Sequence, residues 1–273
     1  MHILEEIADK KKQTTVESVA HLFGVESLEE IDIVVHTDYE PQANMNFDHE
    51  RALALQSGTA KPMLRLYSWK PHAVSLGAHQ RETDIDRAAC ERLGIAVVRR
   101  PTGGRAIVHA DELTYSVVLP LVTISETHRT IHDIYREVHI LLLRALHRMG
   151  ATMLDFEKKQ PDFRAHYKSG SVAMPCFASS ARHEIVHGTR KVVGSAQKLY
   201  GSVVLQHGSI LLGRGHERLA DILNLHSDAE REQIRTTICS RSASLGELFG
   251  RSVSFEECAE AILSTIKLST IKN

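Results

Sequence analysis

Apolar and polar positions alternate with period two through the middle of the chain and fall three and four apart toward both ends. Strands are therefore expected centrally, with helices flanking them. Residues 32–37 read as a strand, and 44–57 as a helix with Phe47, Leu53 and Leu55 among its apolar positions and Gly58 as its stop. The stretch 63–69 alternates, Pro71-His72 breaks it, and 73–77 reads as a further strand before a helix near 84–93 that ends at Gly94. Ile95-Ala96-Val97-Val98 and Ile107-Val108 are candidate strands on either side of a loop, and 113–119 is strand-like. The longest helical pattern covers 125–149, with Ile131, Ile134, Val138, Leu141, Leu142 and Ala145 at mixed three and four spacing. Residues 157–180 are polar, irregular and rich in basic side chains, which marks a long loop. A hairpin is expected where 184–186 and 191–193 flank His187-Gly188-Thr189, followed by a strand over 203–212. From Glu217 onward the pattern is helical, and Ser227, Ser244 and Ser254 each open a capping box.

Several of these strands are joined by connections too short for a parallel crossover. The expected fold is therefore α+β (mixed α/β), with a largely antiparallel mixed central sheet flanked by helices. Capping boxes at Thr14 and Ser27 mark residues 1–30 as an N-terminal helical extension, leaving 31–273 as a single domain with C-terminal helices.

Charge and composition narrow the partners. A formal net charge of -1 in 273 residues with 42% hydrophobic content lacks the basic excess of a nucleic-acid binder, so no nucleic acid is expected. No apolar run reaches membrane-spanning length, and the acidic start Met1-His2-Ile3-Leu4-Glu5-Glu6 is unlike a signal peptide. A cytoplasmic protein without a membrane partner is expected. The cysteines at 90, 176, 239 and 258 show no metal-site or redox spacing, so no metal is expected. Cys90 and Cys258 lie in helical patterns and read as small buried hydrophobes, whereas Cys239 stays undecided.

The most informative stretch is Arg99-Arg100-Pro101-Thr102-Gly103-Gly104-Arg105-Ala106. Adjacent glycines between strands let a backbone approach a ligand and present N–H groups to a phosphate or a carbonyl oxygen; read blandly, they make a tight connection. The spacing is neither that of a P-loop nor that of a dinucleotide fingerprint. Two further segments carry candidate chemistry: Met174-Pro175-Cys176-Phe177, and Lys191-Val192-Val193-Gly194-Ser195-Ala196-Gln197 with Leu205-Gln206-His207-Gly208-Ser209-Ile210 on the next strand. Taken singly, these also read as a surface lysine, a packed small-residue strand and a solvated histidine.

Taken in order, RRPTGGRAIVHADELTYS, KVVGSAQ and LQHGSILL resemble the lipoyl and octanoyl transferase branch of the biotin/lipoate protein ligase superfamily. Weaker agreement comes from Asn44 to Asp48 and Leu66 to Trp69, and the match covers about residues 31–268. The resemblance implies a biotin/lipoate ligase-like catalytic domain whose sheet carries an acyl tunnel. The glycine loop (Arg99, Thr102, Gly103, Gly104, Arg105, with His109 after it) and the lysine strand (Gly194, Ser195, Ala196) would border the reactive carbonyl, and Tyr67 and Trp69 would line the tunnel. His109 is as open to a structural role. Cys176, ahead of the lysine strand, stands where octanoyltransferases of the Gram-positive type keep their nucleophile. The implied reaction moves an octanoyl group from octanoyl-acyl carrier protein, through a Cys176 thioester, to the lysine of a lipoyl domain of the glycine cleavage H protein or a dehydrogenase E2, with no cofactor.

The chemistry of a thiol fits that division of labour. A thiol of pKa ~8.5 is only a few per cent thiolate at neutral pH, and the thiolate is what attacks. An ammonium about 4 Å away offers up to roughly 4 kcal/mol at an effective dielectric of about 20, against the ~1.4–2.8 kcal/mol needed to lower that pKa by about one to two. Lys191 is the candidate for this role and for stabilising the oxyanion. Three readings stay open beside it: an ATP-dependent lipoate-protein ligase, an octanoyl amidotransferase between lipoyl domains, and a non-catalytic lipoyl-domain-binding protein.

Overall fold

A computed structural model describes residues 22–23, 25, 28–121, 123–124, 127–128, 130–157 and 183–268. In chain order the first elements are β1 (Asp32–Tyr39), α1 (Pro41–Gln56), β2 (Met63–Trp69), β3 (Ala73–Leu76), α2 (Arg87–Arg92), β4 (Ala96–Arg99), β5 (Ile107–His109) and β6 (Glu112–Pro120). There follow β7 (Thr123–Ile124), β8 (Thr127–His128), α3 (Ile131–Arg148), β9 (Asp155–Phe156), β10 (Ile185–His187), β11 (Arg190–Tyr200) and β12 (Val203–Leu211). The described chain closes with α4 (Leu219–Ile222), α5 (Asp228–Arg241), α6 (Leu245–Phe249) and α7 (Phe255–Leu268).

Seven strands form one sheet in the order β1-β2-β6-β12-β11-β10-β9, and β4-β3-β5 form a second. Among the described strands only β1–β2 and β3–β4 pair in parallel, so the sheets are largely antiparallel, as the short connections imply. Alternation divides the large sheet's side chains between two cores. Leu64, Leu66, Leu113, Tyr115 and Val117 pack with Ile134, Val138 and Leu142 of α3 and with Cys258 and Ile262 of α7. On the opposite face Met63, Val118 and Leu205 meet Ala52 of α1, while Tyr67 and Trp69 meet Met45 of α1 and Val98 of β4. The small sheet closes its own core against α2, α4 and α5 through Val74, Ala89, Ile222 and Ile238. Leu22 and Phe23, from the expected N-terminal extension, are buried in the α3–α7 core.

Caps explain where the helices begin. The serines opening the three late helices accept from the backbone N–H of Glu230, Glu247 and Glu257, as their boxes imply. Helix α1 starts ahead of the expected residue 44 because the Glu40 carboxylate accepts from Ala43 N at 2.7 Å and Pro41 takes the first turn. Helix α3 starts after the expected 125, at the capping box in which Thr130 and Asp133 serve each other's backbone N–H, with the small β7–β8 hairpin before it. The largest difference is β11, expected as a short hairpin arm over 191–193. It runs to Tyr200, and Val193 to Tyr200 all pair with β12, so the polar Gly-Ser-Ala-Gln tract is held by its backbone ladder without apolar alternation. No helix among the described residues is long and apolar enough to cross a membrane.

Candidate active site

The glycine loop joins β4 to β5, and alternation through it decides which arginine turns inward. Val98 is buried, Arg99 exposed and Arg100 buried again. The Arg100 guanidinium donates to the carbonyls of Gly103 (2.8 Å), Arg105 (2.8 Å) and Ser75 (2.9 Å), so it supports the loop from beneath. Gly104 sits at φ +98°, a conformation that glycine supplies without a Cβ penalty. Arg99 instead donates to the carbonyls of Gly77 and Gln80 and faces Glu82, on the outer side of the loop.

Thr102 ties the loop to the large sheet. Its Oγ1 lies 2.6 Å from Nε2 of His207 on β12, and His207 Nδ1 approaches Asp48 at 3.5 Å, too far for a good hydrogen bond. Burial lowers the pKa of His207, with the Asp48 carboxylate opposing. Asp48 in turn belongs to a fully buried ion pair with Arg65 at 3.0 Å. Between the glycine loop, β2 and the small-residue stretch of β11 lies a narrow cavity. Met45, Tyr67, Trp69 and Ile107 form its apolar wall; Gly194, Ala196 and Gly208 let the backbones of β11 and β12 form the facing one. Its free space is about 30 Å³, room for a water or two, so a longer guest enters only as side chains such as the unbranched Met45 move aside. His109 stacks on Trp69 with centroids 4.0 Å apart and hydrogen-bonds Ser75 Oγ and Glu112.

Gly208 is fixed by a close approach. A Cβ there would fall 2.5 Å from the Gly194 carbonyl oxygen and 2.8 Å from the Tyr115 ring, so a side chain would push β11 off the cavity. Ser195 backs onto the cavity while its hydroxyl turns to the opposite face of the sheet, 2.6 Å from Tyr115 OH and 2.8 Å from His139 Nε2. Burial pushes the His139 pKa down to about 4 and the Tyr115 pKa up, so both are neutral.

That burial predicts an acid sensitivity. Unfolded imidazole takes up its proton near 6.5, while folded His139 waits until about 4, so between those values the unfolded chain binds more protons. Stability should therefore fall on acidification through this window, by about 3 kcal/mol from this residue. Urea unfolding across pH 4–7 should show a correspondingly shallower fall in a His139→Gln variant; an unchanged slope would exclude His139 as a source.

Of the residues expected from sequence, Tyr67, Trp69, His109, Gly194, Ser195 and Ala196 meet at this cavity. Thr102, Gly103 and Gly104 form the loop beside it, with the Arg105 carbonyl on Arg100. Arg99 does not reach it. Lys191 is buried at the head of β11 with its Nζ 2.8 Å from Glu184, whose other oxygen accepts from Tyr135. Cys176 lies outside the described residues. Sequence reasoning quoted Arg100, His207 and Glu112 within motifs but gave them no role of their own, and it missed the Asp48–Arg65 pair.

The family model for the lipoyl protein ligase A/B catalytic domain matches residues 40–267. Octanoyltransferase LipM of Exiguobacterium sibiricum is 37% identical over 219 residues, covering 80% of this chain and 79% of the relative; that of Kyrpidia tusciae is 37% identical over 225 residues. Among solved structures, a bi-partite lipoate protein ligase from Thermoplasma acidophilum superposes with a TM-score of 0.65 at 20% identity, over 88% of this chain and 83% of that one. Lipoate-protein ligase A bound with ATP gives 0.64 at 21%, over 88% and 85%. At those identities the structures establish the fold, while the sequence relatives place the chain within it. The chain belongs to the lipoyl protein ligase A/B catalytic domain family, on its octanoyltransferase branch.

Proposed function

We propose that this acyltransferase takes an octanoyl group from octanoyl-acyl carrier protein onto Cys176 as a thioester and passes it to the acceptor lysine of a lipoyl domain. The observation that carries the reading is the cavity. Thr102 ties the glycine loop to His207 of β12, and Arg100 beneath that loop shares the cavity's lining with the Gly194–Ala196 stretch of β11, in a chain that matches octanoyltransferases over four fifths of its length. An apolar wall of Met45, Tyr67, Trp69 and Ile107 suits an alkyl chain, and backbone N–H groups of Gly103, Gly104 and Ala196 are the donors proposed for its carbonyl. The incoming thioester supplies the free energy of the amide, so the enzyme contributes positioning and charge.

Lys191 is the cation proposed to hold Cys176 as thiolate. Glu184 fixes its ammonium in the interior and takes up part of its field, so the stabilisation of a thiolate falls below the unshared value of roughly 4 kcal/mol. The test is transfer from octanoyl-carrier protein to a lipoyl domain without ATP, read as the octanoyl-lysine mass on the acceptor. Product is expected, and Lys191→Met should form the enzyme thioester more slowly at pH 7 and regain rate at higher pH. Product only from free octanoate with ATP would establish the ligase reading instead.

A further inference from the structure

Glu112 stands where the closed cavity meets an open groove of about 990 Å³; Trp69 and His109 belong to the walls of both. Its carboxylate is buried and used on one side only. Oε1 accepts from His109 Nδ1 (2.8 Å), Ser209 Oγ (3.0 Å) and Thr114 Oγ1 (2.5 Å). Oε2 is buried and has no hydrogen-bond partner among the described residues. Arg100 donates to Ser75 Oγ, and Ser75 Oγ lies 2.7 Å from His109 Nε2; with the His109 proton on Nδ1, Ser75 donates to Nε2 and Nδ1–H donates to Oε1. A carboxylate oxygen withdrawn from water without a donor is a standing penalty that a guest's N–H would relieve.

The groove lies at the reactive end of the sheet. Glu112 pairs with Leu211 and Val193 with Ile210, which sets the head of β11, with Lys191, at the Glu112 end of β6. Ala243 N donates to the Lys191 carbonyl, next to Ser244 in the groove wall. The arginines of that wall, Arg214 and Arg251, are paired with Glu217 and Glu257, so they offer an entering cation little opposition.

We propose that Glu112 Oε2 receives the ε-ammonium of the acceptor lysine through this groove and acts as its base. The proposal rests on the thioester reading above. A lysine of ordinary pKa near 10.4 is unprotonated in about one molecule in 2,500 at pH 7, so amine attack needs a proton acceptor. Oε2 takes one proton from the ammonium, and the freed nitrogen attacks the thioester carbon, forming the C–N bond. As the tetrahedral adduct collapses the C–S bond breaks, sulfur leaves with the electron pair, and the second nitrogen proton passes to it. Glu112 then returns its proton to solvent.

The experiment separates the two half-reactions. Octanoyl-carrier protein loads Cys176, followed by intact mass; the donor is then removed, and a lipoyl domain or hydroxylamine, which is uncharged at neutral pH, discharges the enzyme. Glu112→Gln is expected to load at about the wild-type rate, to discharge to hydroxylamine normally, and to discharge to the lipoyl lysine about 100-fold or more slowly. Normal discharge to the lipoyl domain overturns the proposal. So does slow loading, which would put Oε2 against the amides of the donor's arm, and so does an equal loss with hydroxylamine, which would make Glu112 structural. Should Glu112→Gln not fold, Glu112→Asp keeps the charge on a shorter arm and should slow only the lysine step. Absence of an adduct on the wild type would defeat the thioester reading alone. Overall transfer by the variant at saturating donor then decides Glu112, with full activity overturning its role.

Discussion

Cys176→Ala is expected to abolish octanoyl transfer, by about 10⁴-fold or more, and to leave no acyl adduct after mixing with octanoyl-carrier protein. The size follows from the chemistry: without the thiol the lipoyl lysine must meet the carrier thioester directly, and the two-step path is lost. The other thiols offer no substitute. Burial pushes Cys258 up to about 12 and raises Cys90, while burial together with the Glu217 charge raises Cys239. A thiol raised in this way is largely protonated at pH 7 and a poor nucleophile. Intact mass should therefore increase by one octanoyl group on the wild type and not at all on the variant. An adduct that survives in Cys176→Ala would point to Cys239, the one half-exposed thiol among the described residues, and would remove Cys176 from the mechanism.

The resemblance names the glycine loop and the small residues of β11 as borders of one site, and the structure puts Gly194, Ser195 and Ala196 in the cavity wall with the loop beside it. What the resemblance did not locate are charged residues inside otherwise apolar patterns. Arg65 sits between Leu64 and Leu66 on β2, and alternation puts it on the face of Met63 and Tyr67, away from the α3–α7 core. Asn44, Asp48 and Ala52 recur at four-residue spacing along the buried face of α1, a signal hidden by reading that helix through Phe47, Leu53 and Leu55. Leu53 is in fact exposed. The choice of Arg100 over Arg99 was also available: period two carried two residues past Val98 places Arg99 outward and Arg100 inward. The length of β11 was not available, since its pairing depends on β12 and β10 and leaves no mark on its own polarity.

Asp48→Asn is expected to destabilise the fold by about 3–5 kcal/mol, lowering the melting temperature by about 10 °C. The Asp48 carboxylate accepts from Arg65 Nη1 (3.0 Å) and Ser116 Oγ (2.9 Å) on one oxygen and from Tyr67 OH (3.1 Å) on the other. Arg65 is equally withdrawn from water. It donates to the Asn44 carbonyl and side chain and lies against the rings of Tyr67 and Phe47 at 4.0 and 4.5 Å. Asparagine keeps the shape and can still accept, but it leaves the guanidinium buried without its counter-charge. Ring faces offset only part of that deficit. Burial raises the Asp48 pKa, but the neighbouring His207 and the charge of Arg65 outweigh that, so the folded value lies below the ordinary one. The sign is then fixed: this stability is present above the unfolded carboxylate pKa, near 3.8, and is lost as pH falls through the lower folded value. The variant should lack that loss at low pH while keeping the His139 fall between 6.5 and about 4, so chemical unfolding across pH separates the two residues. An equally stable Asp48→Asn would mean that Asn44, His36 and the rings satisfy Arg65 without a counter-charge. Because His207 bridges Asp48 to Thr102, the same substitution should also loosen the glycine loop, and octanoyl transfer should fall even at temperatures where the variant stays folded.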